Sequence, residues 1–86
     1  MATIRKKAWP ELFELVKTGK KNFDLRLADF DVQEGDTLIL EEWDPETEKY
    51  TGRILEKTVK YVMAFNLNDF GQKQNIEEKG LYIIQL

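Results

Sequence analysis

The sequence predicts a small α+β domain, a curved β-sheet or pseudo-barrel capped by one short N-terminal helix, with residues 1–86 forming a single domain. Three observations carry this expectation. A helical apolar stripe ends at a glycine, a series of strand-like apolar runs follows it, and the longest of these runs is long enough to bend around a barrel.

Residues 3–8, Thr-Ile-Arg-Lys-Lys-Ala, read as a short strand bearing cations. Trp9-Pro10 then starts a helix, since proline is tolerated at the first helical position. Glu11 suits the positive end of the helix dipole and Lys17 the negative end. Trp9, Leu12, Phe13 and Val16 fall on one apolar stripe, and Gly19 stands where a left-handed residue ends a helix. So short a helix needs a packing partner. Residues 22–28 read as the next strand, followed by a polar loop and the turn signal Gly35-Asp36. Thr37 to Leu40 is a near-continuous apolar run, expected to lie centrally, and Asp44 to Lys49 is a charged connector. Tyr50 starts a return strand expected to reach Phe65, making a hairpin with the run before it. Residues 66–79 lack periodicity and read as a long loop, and Leu81 to Leu86 reads as a terminal strand.

The polar residues concentrate at Gly19 to Arg26. Alternation puts Phe23, Leu25 and Leu27 on one face and Lys20, Asn22, Asp24 and Arg26 on the other. Lys21 shares the parity of Phe23. It joins the polar side only if the backbone is still turning out of the helix at that point.

Composition narrows the chemistry. The chain has no cysteine, histidine or serine, which removes thiol chemistry, the usual general base and the serine nucleophile. Any catalysis would fall to Lys, Asp, Glu, Thr, Tyr or Arg. Residues 1–26 carry seven cations against three anions, whereas residues 27–86 carry six against thirteen. A uniformly basic nucleic-acid binder is not expected, but a local phosphate-facing patch on an acidic body is compatible with this balance. The basic N-terminus does not read as a secretory leader, and no apolar run reaches membrane-spanning length, so a soluble cytoplasmic protein is expected.

Gly19-x-Lys21-x-x-Asp24-x-Arg26 resembles the G-x-K-x-x-E-x-R signature of ASCH domains, which are small PUA-like β-barrels. A closer resemblance is to the DUF3850 subgroup. Its entry motif matches Lys7, Pro10 and Phe13, its strand motif matches Gly35 to Asp44, and its Tyr-Thr-Gly-Arg matches Tyr50 to Arg53. The resemblance runs from about residue 4 to residue 65. Asp24 replaces the signature glutamate, and Ile4 stands where the subgroup commonly has histidine. The resemblance implies a PUA-like pseudo-barrel with a cleft between barrel and helix, lined by the signature residues, and a role connected with RNA.

On that basis the expected ligand is single-stranded RNA or a nucleotide, held by Lys20, Lys21, Asp24, Arg26 and Lys7. Lys21 and Arg26 would take phosphate or a base edge. The competing reading of Asp24 and Arg26 is a partly exposed ion pair on one face. Trp43 and Tyr50 would stack bases, or else close the hairpin as a cross-strand aromatic pair. Glu41, Glu42 and Asp44 read as a charged strand end, and no metal, cofactor or membrane partner is expected. A monomer is favoured.

Two other function classes stand beside RNA binding. Some ASCH proteins are similar to amidohydrolases that deacetylate a modified cytidine with a lysine, a threonine nucleophile and a glutamate. Lys21 matches that lysine, but Asp24 occupies the threonine position and is a poor acyl-transfer nucleophile. A ribonuclease using the same cleft has no support from spacing. A protein-interaction domain would rest on the acidic body and the 66–79 loop.

Overall fold

β1 (Thr3–Ala8) leads into α1 (Pro10–Lys17), and a long connection returns the chain to β2 (Thr37–Asp44), whose hairpin partner is β3 (Lys49–Thr58). The computed structural model describes residues 1–85. After β3 come a 3-10 turn (Leu67–Phe70) and α2 (Lys73–Lys79). The sheet is open and mixed, in the order β1-β2-β3, with β1 parallel and β3 antiparallel to β2. The chain is thus a small α+β fold.

α1 begins as the sequence predicts, with Pro10 in its first turn and Glu11 and Lys17 at the ends that suit their charges. It ends at Thr18, whose N–H donates to Glu14 O at 3.0 Å. Gly19 follows at φ +80°, a left-handed conformation that costs other residues energy. Phe13 and Val16 press onto Ala8 and Leu40, with Leu38 and Leu55 packed beside them. Phe13 and Leu40 are 1% and 2% exposed. Burying a side chain of this size contributes about 1.5–3 kcal/mol. Trp9 and Leu12, expected in the same stripe, are 54% and 47% exposed and stand beside the core rather than in it.

Register separates the two sheet faces. Leu40 pairs with Lys6 and Leu55, and Ala8 pairs with Glu42, so these residues face α1. Lys7 pairs with Glu41, and Trp43 pairs with Tyr50, on the opposite face. The β2–β3 register shifts between Glu41 and Trp43. Asp36 joins the start of β1 to the turn before β2. Its carboxylate accepts from the N–H groups of Ala2 and Gln33, each at 2.9 Å, and these bonds hold its pKa below the usual carboxylate value.

Several expected elements are corrected. Residues 22–28 alternate as a strand would, yet they join no ladder among the described residues. The main-chain oxygen of Lys7, in β1, accepts from the side chain of Arg26 at 2.7 Å. β3 ends at Thr58 and not at Phe65, because its partner strand begins at Thr37. Past that point the Val59 N–H donates to Asp36 O, and the Val59 carbonyl accepts from Gly35 N–H. Residues 81–85 also lie outside the ladder, and Leu86, the last residue of that expected strand, is outside the described residues. The expected loop at 66–79 holds the 3-10 turn and α2. Asn66 and Asp69 cap that turn reciprocally, a local signal independent of apolar periodicity.

Candidate functional site

Lys21 leaves α1 while the backbone is still turning. Its N–H donates to Leu15 O at 2.9 Å, after Gly19 has reversed the chain direction. Lys21 lines a cleft of about 370 Å³ between α1, the end of β1 and the 21–26 segment, with its ammonium 5.2 Å from the Phe23 ring centroid. The turn brings Lys21 to the cleft edge, while its ammonium stays beside Phe23, the residue whose parity it shares. Ala8, Val16 and Leu40 contribute apolar wall, while Trp9 and Leu12 stand on the helix side. The helix residues left out of the core are therefore those that border the cleft.

Asp24 and Arg26 line the same cleft. Arg26 Nε donates to Asp24 Oδ2 at 2.5 Å, and Nη2 approaches Asp24 Oδ1 at 3.4 Å. Nη2 also donates to Lys7 O at 2.7 Å, pinning the guanidinium to the end of β1. Arg26 is thus capped by Asp24, as the ion-pair reading has it, and both residues border the cleft. The two side chains are 25% and 24% exposed, so the pair contributes at most about 1 kcal/mol. Nη1 of Arg26 has no partner among the described residues.

The other candidates separate from this group. Lys7 lines the cleft, but its ammonium lies 4.5 Å from the Trp43 ring centroid and 5.7 Å from that of Tyr50. Trp43 and Tyr50 are direct cross-strand partners closing the hairpin, on the face away from α1. Lys20 does not line the cleft, and its carbonyl accepts from Gln85 Nε2 at 3.3 Å. Glu41 faces Arg5 at 3.7 Å, whereas buried Glu42 accepts from Thr51 Oγ1 at 2.6 Å.

Two contributors escaped the sequence reading. Gln85 Oε1 accepts from Asn22 N–H at 2.6 Å while its amide reaches Lys20 O, so one side chain grips the backbone on both sides of Lys21. Sixty-three residues separate Gln85 from Asn22, and no local pattern reports such a contact. Arg53 supports the helix wall. It lies over the Phe13 ring at 4.8 Å, bonds Glu14 at 2.8 Å and faces Glu42 at 3.6 Å. Its hydrogen bond holds the Glu14 pKa below the usual carboxylate value. The Tyr50–Arg53 motif pointed to this residue without giving its role.

No helix among the described residues is long and apolar enough to cross a membrane. A family model described as "Domain of unknown function (DUF3850)" matches residues 5–76. No curated protein and no solved structure matches the chain.

Proposed function

The chain belongs to the DUF3850 family, and we propose that it is an ASCH-type, PUA-like domain that binds single-stranded RNA or a nucleotide in the cleft beside α1. The observation carrying this reading is the convergence of Lys21, Arg26 and the exposed indole of Trp9 on one cavity with apolar wall. Such a site offers a planar surface for a base and cations for a phosphate, with the Asp24 carboxylate as an acceptor for a base amino group. Lys7 contributes by holding Arg26 through its carbonyl. Trp43 and Tyr50 lie on the other sheet face and serve chiefly to close the hairpin.

The PUA-like part of the proposal rests on the signature at Gly19 to Arg26, and the exposed surface is what a closed barrel would have to cover. The chain exposes 7276 Å², whereas a compact protein of its mass exposes roughly 5,300 Å². Leu25, Leu27, Tyr61, Met63, Tyr82 and Ile84 are among the exposed apolar residues. On this proposal segments 22–28, 59–65 and 81–85, which join no ladder among the described residues, would be the pieces that complete the pseudo-barrel. The deacetylase reading gains nothing, since Asp24 is bound by Arg26 and supplies no hydroxyl.

Fluorescence titration of a labelled single-stranded RNA at two salt concentrations tests the binding function. Affinity is expected to fall as salt rises, and to fall further in Lys21→Ala and Arg26→Ala. Salt-independent binding, or none, would refute it.

A further inference from the structure

The hairpin carries an irregularity aimed at α1. Glu41 pairs with Ile54 and Trp43 with Tyr50, so Glu42 alone on β2 faces Thr51, Gly52 and Arg53 on β3. Gly52, at φ +94°, supplies the left-handed residue that such a bulge uses. The residues of the bulge close on Glu42, which is only 5% exposed. Thr51 Oγ1 donates to the Glu42 carboxylate at 2.6 Å and accepts from Arg53 N–H at 3.2 Å, while Arg53 Nε faces the same carboxylate oxygen at 3.6 Å. A buried carboxylate needs a cation beside it, so Glu42 fixes where Arg53 stands.

From there Arg53 reaches α1 on the flank away from the cleft. At about 100° per residue, and counting from Leu12, Val16 stands at about 40°, Phe13 at about 100° and Glu14 at about 200° around the helix. Leu12 and Val16 line the cleft, Phe13 enters the core, and Glu14 accepts from Arg53 Nη2 at 2.8 Å. The guanidinium also covers the Phe13 ring, 4.8 Å from its centroid. Neither Arg53 nor Glu14 lines the cleft. We infer that Arg53 is a positioning residue for the nucleotide site, setting the roll of α1 about its axis and with it the width of the cleft. This rests on the nucleotide-binding reading of that cleft. α1 meets the core through Phe13 and Val16, neighbours on its circumference that by themselves resist rolling weakly. A roll of about 20° would carry a side chain about 5 Å from the axis through about 2 Å, enough to change the gap a planar base enters. The Arg53 and Glu14 side chains are 46% and 54% exposed, so their pair adds little to stability, and what it contributes is direction.

Fluorescence titration of a labelled mononucleotide, run beside urea unfolding of the same variants, tests this. Arg53→Lys keeps the charge but lacks the fork that reaches Glu42 and Glu14 together. It is expected to weaken binding about threefold, on the scale of one exposed ion pair. Glu14→Ala should weaken binding by a similar factor, and Glu14→Gln, which keeps an acceptor at the same place, should recover most of the loss. The sign for Glu14→Ala is decisive. Removing an anion from the surface would by itself tighten an anionic ligand, whereas releasing α1 from Arg53 weakens it. Tighter or unchanged binding in Glu14→Ala, or a lower urea midpoint in Arg53→Lys with affinity intact, would overturn the positioning role and leave the cleft a nucleotide site. Absence of binding by the unsubstituted protein would overturn the nucleotide-binding reading and this inference with it.

Discussion

Gln85→Ala separates the placing of Lys21 from its charge. The substitution removes the acceptor of the 2.6 Å bond from Asn22 N–H and the donor of the 3.3 Å bond to Lys20 O. Both bonds are exposed, so water replaces them in part, and the loss of stability is expected at about 1 kcal/mol. Lys21 would keep its own N–H bond to Leu15 O, leaving the turn loosened but present. A surface lysine–phosphate contact is worth about 1 kcal/mol, so Lys21→Ala should weaken nucleotide binding about fivefold. Gln85→Ala should cost less, about threefold, because the ammonium is displaced and not deleted. The decisive measurement is a double-mutant cycle read by fluorescence titration of a labelled mononucleotide. If Gln85 acts through Lys21, the double variant binds about as weakly as Lys21→Ala alone, with a coupling energy equal to the whole Gln85→Ala loss, about 0.65 kcal/mol. Independent, additive losses would refute the clasp as a positioning device.

Phe13→Ala, at a position 1% exposed, should cost about 3–5 kcal/mol in urea unfolding. Leu12→Ala at the cleft rim, 47% exposed, should stay within about 1 kcal/mol while still weakening ligand binding. Gly19→Ala meets no atom within 4 Å but forces a side chain into φ +80°, and should lower thermal stability by about 1–2 kcal/mol. Asp36 governs part of the acid response, because its folded-state pKa is depressed by the Ala2 and Gln33 N–H groups. Its contribution is complete above the unfolded value of about 3.9 and is lost as pH falls through the folded value. Urea midpoints measured from neutral pH downward should therefore show a shallower acid decline in Asp36→Asn.

Sequence patterns reported the elements whose stability is local. The Pro10–Lys17 helix and the β2–β3 hairpin each carry their own start, stop and facing signals, and both form where those signals stand. The 22–28 segment shows the limit of alternation. A period of two tells which residues share a face, but not whether an adjoining edge is free to receive the strand. There Lys7 O accepts from the Arg26 side chain. α2 was missed because its seven residues bury none of their side chains and so leave no apolar stripe. For the site, the Gly19–Arg26 signature brought Lys21, Asp24 and Arg26 to one cleft, but Lys20 fell outside it. The Gln85 bonds and the reach of Arg53 to Glu14 depend on contacts between distant segments, and these have no one-dimensional trace.

The parallel pairing of β1 with β2 also has a kinetic consequence. The hairpin closes over a connector of four residues between Asp44 and Lys49, whereas β1 must meet β2 with Ala2 and Asp36 thirty-four positions apart. Local pairs form early and long loops close late, so β1 docks after the hairpin. The cleft borders β1 through Lys7 and Ala8. The proposed binding cleft therefore takes its final shape only when this long-range pairing closes, after the hairpin beside it has formed.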